Sequence, residues 1–231
     1  MLNIYIKKMS LNFHDVLNNS YASRDKQKGA FKNQGYVFDS DLSNGNNSVY
    51  YNPKKNKILM SVKGTNPFSL QDLGTDAYLA FGKLKDTNRY KESKNILEKA
   101  KKRYNNANAT LASHSLGGSI SQYIAGKNDK VYTLDKGATI GQKTRSNENA
   151  YRTTGDAVSL LNANSTRMTT LKKPDNKPKT WIGKIGNAIY NAPKTIIENG
   201  LNKATGGLYG VGKNALEAHD VDNIKDENIF V

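Results

Sequence analysis

The chain has 231 residues, enough for one sizeable hydrophobic core, and nothing in its composition requires a second. It contains no cysteine, which excludes disulfides and a thiolate nucleophile and is consistent with a reducing compartment. No run of about eighteen apolar residues is present, so we expect no transmembrane helix. Residues 1–8 are too polar and too short to act as a secretory signal.

The formal net charge of +15 indicates attraction to a polyanion, either nucleic acid or an anionic membrane surface. A coding bias explains it equally well, because the chain is rich in Lys, Asn, Ile and Tyr, the mixture that an AT-rich genome favours. Arg, the usual reader of base edges, is a small minority among the 35 basic residues. We therefore expect no specific nucleic-acid partner, whereas an anionic membrane surface stays open as a partner.

The N-terminal segment, residues 1–35, is polar with scattered apolar positions such as Phe13, Val16 and Leu17, which predicts a short amphipathic helix. We treat this segment as a helical extension and residues 36–231 as a single domain.

Apolar runs bounded by turn residues predict short strands at 36–38, 48–51, 58–62, 109–112, 130–134 and 150–153. The strands at 48–51 and 58–62 flank a cluster of turn residues, so we expect them to form a hairpin. Helical patterns cover roughly 69–81, 88–104 and 116–125. The alternation of strand and helix indicates an α/β fold, with a mostly parallel sheet flanked by helices on both faces.

Beyond residue 161 the pattern weakens, and residues 172–212 form an insertion rich in Gly, Asn and Lys. Its apolar residues, among them Trp181 and Ile185, either pack on the sheet or provide an interfacial surface among lysines.

The strongest chemical signal is Ser113-His-Ser-Leu-Gly-Gly118, between a predicted strand and a predicted helix. A nucleophile elbow needs a serine on a sharp strand-to-helix turn, with small residues two positions away on either side. Such a turn lifts the Ser115 hydroxyl clear of the sheet and directs the N–H of Leu116 towards a developing oxyanion. The competing interpretation, a helix cap rich in Ser and Gly, is less favoured because strand and helix both lie where the elbow requires them.

His-Ser-Leu-Gly-Gly at 114–118 closely resembles the elbow of the class 3 lipases, the fungal-lipase-like branch of the α/β-hydrolases. The segment 58–65 resembles the family's strand ending in Arg-Gly-Ser/Thr, with Lys63 in place of the Arg, and 154–158 resembles its Asp-containing turn. The resemblance spans about residues 58 to 219. It implies an α/β-hydrolase that forms an acyl-enzyme from lipid esters, with no metal or organic cofactor.

The resemblance also implies residue roles. Thr65 would supply an oxyanion-hole N–H beside that of Leu116, although a plain turn at 63–67 competes with this interpretation. Asp156 would be the triad acid, and residues 66–82, which include the family-like acidic positions Asp72 and Asp76, would form a lid.

The catalytic base is predicted by elimination among three histidines. His14 precedes the other motifs and is expected to lie outside the core, and His114 adjoins the nucleophile, where the family has a packing residue. His219 is left, and the order Ser115, Asp156, His219 is that of the α/β-hydrolases. Asp135, which follows the strand at 130–134, is the competing acid.

These motifs predict a serine hydrolase acting on a lipid or small ester through Ser115, Asp156 and His219. Two other classes stay open. One is a hydrolase-like fold without activity that serves as a binding or structural protein, for instance in a virus particle. The other is a cationic module that binds membranes or nucleic acid.

Overall fold

The structure, a computed structural model, describes residues 10–64, 84–137, 143–154, 156, 159, 168–172, 219–225 and 227–231. Its helices are α1 (Phe13–Tyr21), α2 (Arg24–Gly29), α3 (Asn88–Arg103) and α4 (Ser115–Ile124). Its strands are β1 (Val37–Phe38), β2 (Asn47–Asn52), β3 (Lys57–Val62), β4 (Asn108–His114), β5 (Lys130–Leu134), β6 (Glu148–Thr153) and β7 (Met168–Leu171). Short 3₁₀ helices lie at Lys32–Gln34, Leu84–Asp86 and Val221–Ile224.

The strands form one seven-stranded sheet whose spatial order is the order of the chain. The pairs β1–β2 and β2–β3 are antiparallel, and every later pair is parallel. The predicted hairpin and the predicted α/β fold with a mostly parallel sheet are thereby confirmed. Because β3 to β6 run in the same direction, the residues that follow them, Gly64, Ser115, Asp135 and Asp156, come to the same edge of the sheet.

Strand β3 shows how both faces of the sheet are covered. Ile58 and Met60 enter the hydrophobic cluster that contains the apolar residues of α3 and α4. Leu59, between them, points to the opposite face and joins the cluster that contains the apolar residues of α1. The prediction of helices on both faces is therefore confirmed.

Helix α3 matches the predicted helix at 88–104 closely. It begins after Thr87, whose side chain accepts the N–H of Tyr90, and it ends on three basic residues, which favour the negative end of the helix dipole. Its buried positions share one helical face, and they are Ser93, Ile96, Leu97 and Ala100.

Helix α1 lies in the segment that we treat as an N-terminal extension, and its apolar face is buried on the sheet. The C-terminal residues form hydrogen bonds with the start of α1 and with the residues just before it. The N–H of Phe13 donates to the carbonyl of Ile229 at 2.8 Å. Likewise, the N–H of Val231 donates to the carbonyl of Leu11 at 3.0 Å. These bonds hold the segment that contains His219 against the fold. The boundary between extension and domain at residue 36 stays a prediction.

The expectation that His14 lies outside the core is wrong. Its side chain is buried, and Nε2 lies 3.0 Å from Oδ1 of Asp222. The C-terminal segment covers this end of α1, and a contact between residues so far apart in sequence leaves no local signal.

Strand β7 and helix α2 were not predicted. The predicted helix at 69–81, the lid candidate at 66–82 and residues 173–212 of the predicted insertion lie outside the described residues. Within the described part of the chain, no helix combines the length and the apolar character that a membrane span needs.

Candidate active site

Ser115 directly follows β4 and is the first residue of α4, where the elbow motif predicts it. Its φ of +54° lies in the left-handed region. Residues other than glycine seldom adopt that conformation, which costs on the order of 1–3 kcal/mol. The residue is 3% exposed, and its carbonyl accepts the N–H of Gly137 at 3.0 Å. The serine is thus strained and lies directly between a parallel strand and a helix, which is the position that a nucleophile elbow requires.

Two glycines let neighbouring backbone approach the elbow closely. A Cβ on Gly117 would lie 2.0 Å from the carbonyl oxygen of Val62. A Cβ on Gly64 would lie 2.9 Å from the carbonyl oxygen of His114 and 3.0 Å from Cβ of Ser115. The chain that leaves β3 therefore runs directly beside the serine, where the family's oxyanion-hole residue is expected.

Gly117→Ala is expected to destabilise the fold by about 3 kcal/mol or more, the upper end for overpacking, because backbone atoms cannot yield to the new methyl group. Gly118→Ala is the matched control. Its Cβ would meet the Cβ atoms of Lys136 and Thr133 at 3.4 Å, an ordinary contact, and Ala favours a helix over Gly by up to about 1 kcal/mol. Urea unfolding of both variants checks the contrast, and an equal loss of stability in the two would contradict it.

The predicted acid and base form a buried pair. Nδ1 of His219 lies 2.7 Å from Oδ1 of Asp156, although 63 residues separate them. The other carboxylate oxygen accepts the N–H of Ser159 at 2.7 Å. With the proton on Nδ1 directed at the carboxylate, Nε2 of His219 presents its lone pair. Among the described residues Nε2 has no hydrogen-bond partner.

The ring of His219 also lies against that of His114, with 4.5 Å between the ring centroids. Since His114 directly precedes Ser115, this ring contact places His219 near the serine, at the end of the sheet where Asp156 also lies. Ser115 and His219 are not hydrogen-bonded, because Nε2 of His219 lacks a partner within the described chain. Hydrogen bonds between nucleophile and base are often long in the absence of substrate and shorten when it binds.

The pairing sets the charges of both groups. Burial alone would lower the pKa of His219, but the charge of Asp156 and the hydrogen bond to it raise that pKa above its ordinary 6.5. Burial would raise the pKa of Asp156, but the charge of His219, with hydrogen bonds from His219 and Ser159, holds it below 3.8. Asp156 is therefore ionised at neutral pH and can stabilise an imidazolium.

The competing acid, Asp135, bonds elsewhere. Its carboxylate accepts the N–H of Thr153 at 2.7 Å and the hydroxyl of the same residue at 2.9 Å. Burial and the nearby charge of Asp156 raise the pKa of Asp135 well above its ordinary value. The two carboxyl groups thus differ, since Asp156 is paired with an imidazole whereas Asp135 is driven towards its neutral form.

Tyr21, the last residue of α1, is a site residue that sequence reasoning missed. Its hydroxyl accepts the N–H of Gly64 at 3.1 Å and lies 3.0 Å from Nδ1 of His114. Burial raises the pKa of Tyr21 to about 12, so the hydroxyl keeps its proton. The ammonium group of Lys63, which stands where the family has Arg, lies 5.2 Å from the centre of the Tyr21 ring.

Of the two predicted oxyanion donors, only Leu116 lies among the described residues. Leu116 is the second residue of α4, so its N–H has no carbonyl acceptor one turn earlier within the helix, as an oxyanion donor requires. Thr65 lies outside the described residues, one position beyond Gly64.

No protein-family profile matches this chain, and no curated protein matches it. Among solved structures, the chain is similar to the Lip2 lipase from Yarrowia lipolytica, with a TM-score of 0.45 and 14% sequence identity. The match covers 74% of this chain and 78% of that lipase. A likeness at this level carries no weight for function.

Proposed function

We propose that the protein is a serine ester hydrolase, with Ser115 as nucleophile, His219 as base and Asp156 as orienting acid. The observation that supports this most is the buried 2.7 Å contact between His219 Nδ1 and Asp156 Oδ1 beside a serine held at a φ of +54°. Serine hydrolases activate a hydroxyl with such a carboxylate–imidazole pair, whose Nε2 is left to accept the proton.

In the proposed reaction Oγ of Ser115 attacks the ester carbonyl carbon while Nε2 of His219 takes the hydroxyl proton. Asp156 keeps the other ring proton on Nδ1 and stabilises the imidazolium. The N–H of Leu116 and, following the family resemblance, that of Thr65 bind the oxyanion, each contributing roughly 3–4 kcal/mol. Collapse expels the alcohol, which takes the proton from His219 and leaves acyl-Ser115. Water then attacks in the same way and releases the acid.

For the substrate we propose a lipid ester. The support is the class 3 lipase resemblance at 114–118, together with a lid candidate at 66–82 in the family's place after the oxyanion residue. The net charge of +15 would also draw the protein to an anionic lipid surface.

The test is an assay of the purified protein on short-chain p-nitrophenyl esters and on zwitterionic and anionic phospholipid vesicles. We expect kcat/KM to rise with pH, because His219 must be neutral to accept a proton. Its raised pKa places the midpoint of this rise above 6.5. A midpoint below 6.5 would contradict the pairing with Asp156. A folded protein that hydrolyses none of these esters would favour the inactive hydrolase-like fold, and salt-sensitive DNA binding without hydrolysis would favour the cationic module.

Tyr21→Phe tests whether α1 positions the site. The substitution keeps the ring but leaves the buried N–H of Gly64 without its acceptor, at a cost of about 1–3 kcal/mol in stability. Because Gly64 and His114 lose their common partner, we expect kcat to fall by up to about tenfold with KM nearly unchanged. Steady-state kinetics on a soluble ester measures this split.

Tyr50→Phe is the matched control for Tyr21→Phe. Tyr50 is a buried tyrosine whose hydroxyl donates to the carbonyl of Gln27 at 3.3 Å, away from the site. We expect this variant to lose stability and to keep its kcat. A fall in kcat in both variants would show that Tyr21 acts through general stability alone.

A further inference from the structure

A second cluster of ligating side chains shares His219 with the proposed triad and adds His114 and Asp135, which the triad does not use. His114, Asp135 and His219 each offer a ligand atom, and these atoms all lie within 4.8 Å of one another. The three residues come from different places, namely the end of β4, the residue after β5 and the C-terminal segment. All three are almost fully buried, with exposures of 2%, 0% and 1%.

Each histidine of this cluster has one ring nitrogen that makes no hydrogen bond to the described residues. Nδ1 of His114 faces the Tyr21 hydroxyl and Nδ1 of His219 faces Asp156, so the nitrogen that each ring can offer to a cation is Nε2. Both Nε2 atoms are buried and have no hydrogen-bond partner among the described residues. An unpaired buried polar atom costs about 1–3 kcal/mol, so a ligand that binds both nitrogens would stabilise the site.

From this geometry we propose that the protein binds one divalent transition-metal ion, of the Zn²⁺ class, between Nε2 of His114, Nε2 of His219 and the Asp135 carboxylate. Two imidazoles and one carboxylate are a ligand set that Zn²⁺ accepts, with a fourth position left for water. Bonds of about 2.0–2.1 Å put tetrahedral ligands roughly 3.3 Å apart. Ligand atoms that lie within 4.8 Å of one another therefore need to move closer by at most about 1.5 Å when the ion binds.

The outer contacts of the three ligands are those that zinc sites need. A metal-bound histidine generally donates its other ring N–H to a carboxylate or another oxygen. Asp156 fills this role for His219, and the Tyr21 hydroxyl, which can accept as well as donate, fills it for His114. The Asp135 carboxylate is held by the N–H and the hydroxyl of Thr153.

Metal binding at this position would inhibit the enzyme. This part rests on the proposed function, in which Nε2 of His219 accepts the proton of Ser115. A metal ion on that lone pair blocks the transfer, so Zn²⁺ and nucleophile activation exclude each other. Hydrolysis should therefore fall with added Zn²⁺, at an inhibition constant equal to the dissociation constant, and should return when EDTA removes the metal.

Direct metal binding to the full chain is the experiment, with Zn²⁺ measured by calorimetry and Co²⁺ by visible absorption. We expect one ion per chain in the wild type and in Ser115→Ala, with affinities within about threefold. Asp135→Asn and His114→Gln should each weaken binding by more than the 10- to 100-fold typical of losing an outer contact. His14→Gln, which removes an imidazole outside the cluster, should bind the metal as the wild type does.

Several results would overturn the metal site. They are the absence of stoichiometric binding, a folded Asp135→Asn protein that binds Zn²⁺ as tightly as the wild type, or equal weakening in His14→Gln. Activation by Zn²⁺ would overturn the inhibitory role. Because Ser115→Ala keeps all three ligands, binding to it tests the metal site even if the wild type hydrolyses no ester. Hydrolysis without metal binding would contradict the metal site but would agree with the proposed function.

Discussion

Ser115→Ala is expected to lower ester hydrolysis by about a millionfold, as removal of the nucleophile does in the best-studied serine hydrolase. The substitution removes only Oγ and keeps Cβ, so the backbone at a φ of +54° carries nearly the same strain in both proteins. Stability should therefore change little. The measurement is kcat/KM on a soluble ester, together with mass-spectrometric mapping of a fluorophosphonate adduct, which should fall on Ser115 alone.

Ser121→Ala is the matched control, because it removes another buried hydroxyl from the same helix. Oγ of Ser121 lies 2.7 Å from Oγ of Ser113, and the loss of this bond should cost stability of about 0.5–1.5 kcal/mol. Labelling and turnover of this variant should stay within about tenfold of the wild type. Activity that survives Ser115→Ala, or an adduct on another residue, would remove the basis for the proposed reaction.

The sheet could be predicted because its strands and helices carry local signals. Strand β5 has the predicted bounds, and α3 ends one residue before the predicted helix does. The turn residues at 53–56 join β2 to β3, and the apolar residues of β3 fill cores on both faces. In each of these elements the hydrophobic pattern and the turn chemistry agree with the tertiary structure.

Elements that lack an apolar pattern were missed for a physical reason. Strand β7 buries only Leu171 among its four residues, so it shows no run of apolar side chains. Helix α2 has no large apolar residue, and its buried side chain is that of Gln27. The amide of Gln27 donates to carbonyls at the end of α1, including that of Ala22 at 3.1 Å. A helix held by such hydrogen bonds gives no periodic signal in the sequence.

In the candidate site, too, some residues have a local sequence signal and others have none. The elbow could be predicted because its small residues and its flanking elements are contiguous in the chain. The pattern of strands alone does not distinguish Asp135 from Asp156, because both follow parallel strands of one sheet, and the preference for Asp156 came from the resemblance at 154–158. The structure separates them by their partners, an imidazole for Asp156 and a threonine for Asp135. Tyr21 left no signal, since its contacts with Gly64 and His114 exist only in the folded chain.

Asp156→Asn is expected to lower kcat by about ten-thousandfold, because an amide cannot hold the His219 proton on Nδ1 or stabilise the imidazolium. The pH profile supplies a second readout. Since the charge of Asp156 is what raises the pKa of His219 against its burial, the variant should show this pKa lowered. Residual hydrolysis should therefore rise with pH at a lower midpoint than in the wild type, and a profile of kcat/KM against pH measures both effects.

Asp135→Asn is the matched control for Asp156→Asn, because it changes a neighbouring buried carboxyl group in the same way. The pKa of Asp135 is raised by burial and then by Asp156, so Asn approximates the neutral form that the fold already favours. Its amide can still accept the N–H of Thr153, and we expect kcat to fall by less than about tenfold. If the two variants lost activity equally while both stayed folded, the carboxyl groups would act as one unit. His219 would then be oriented by the pair, and Asp156 could not be assigned as its single acid.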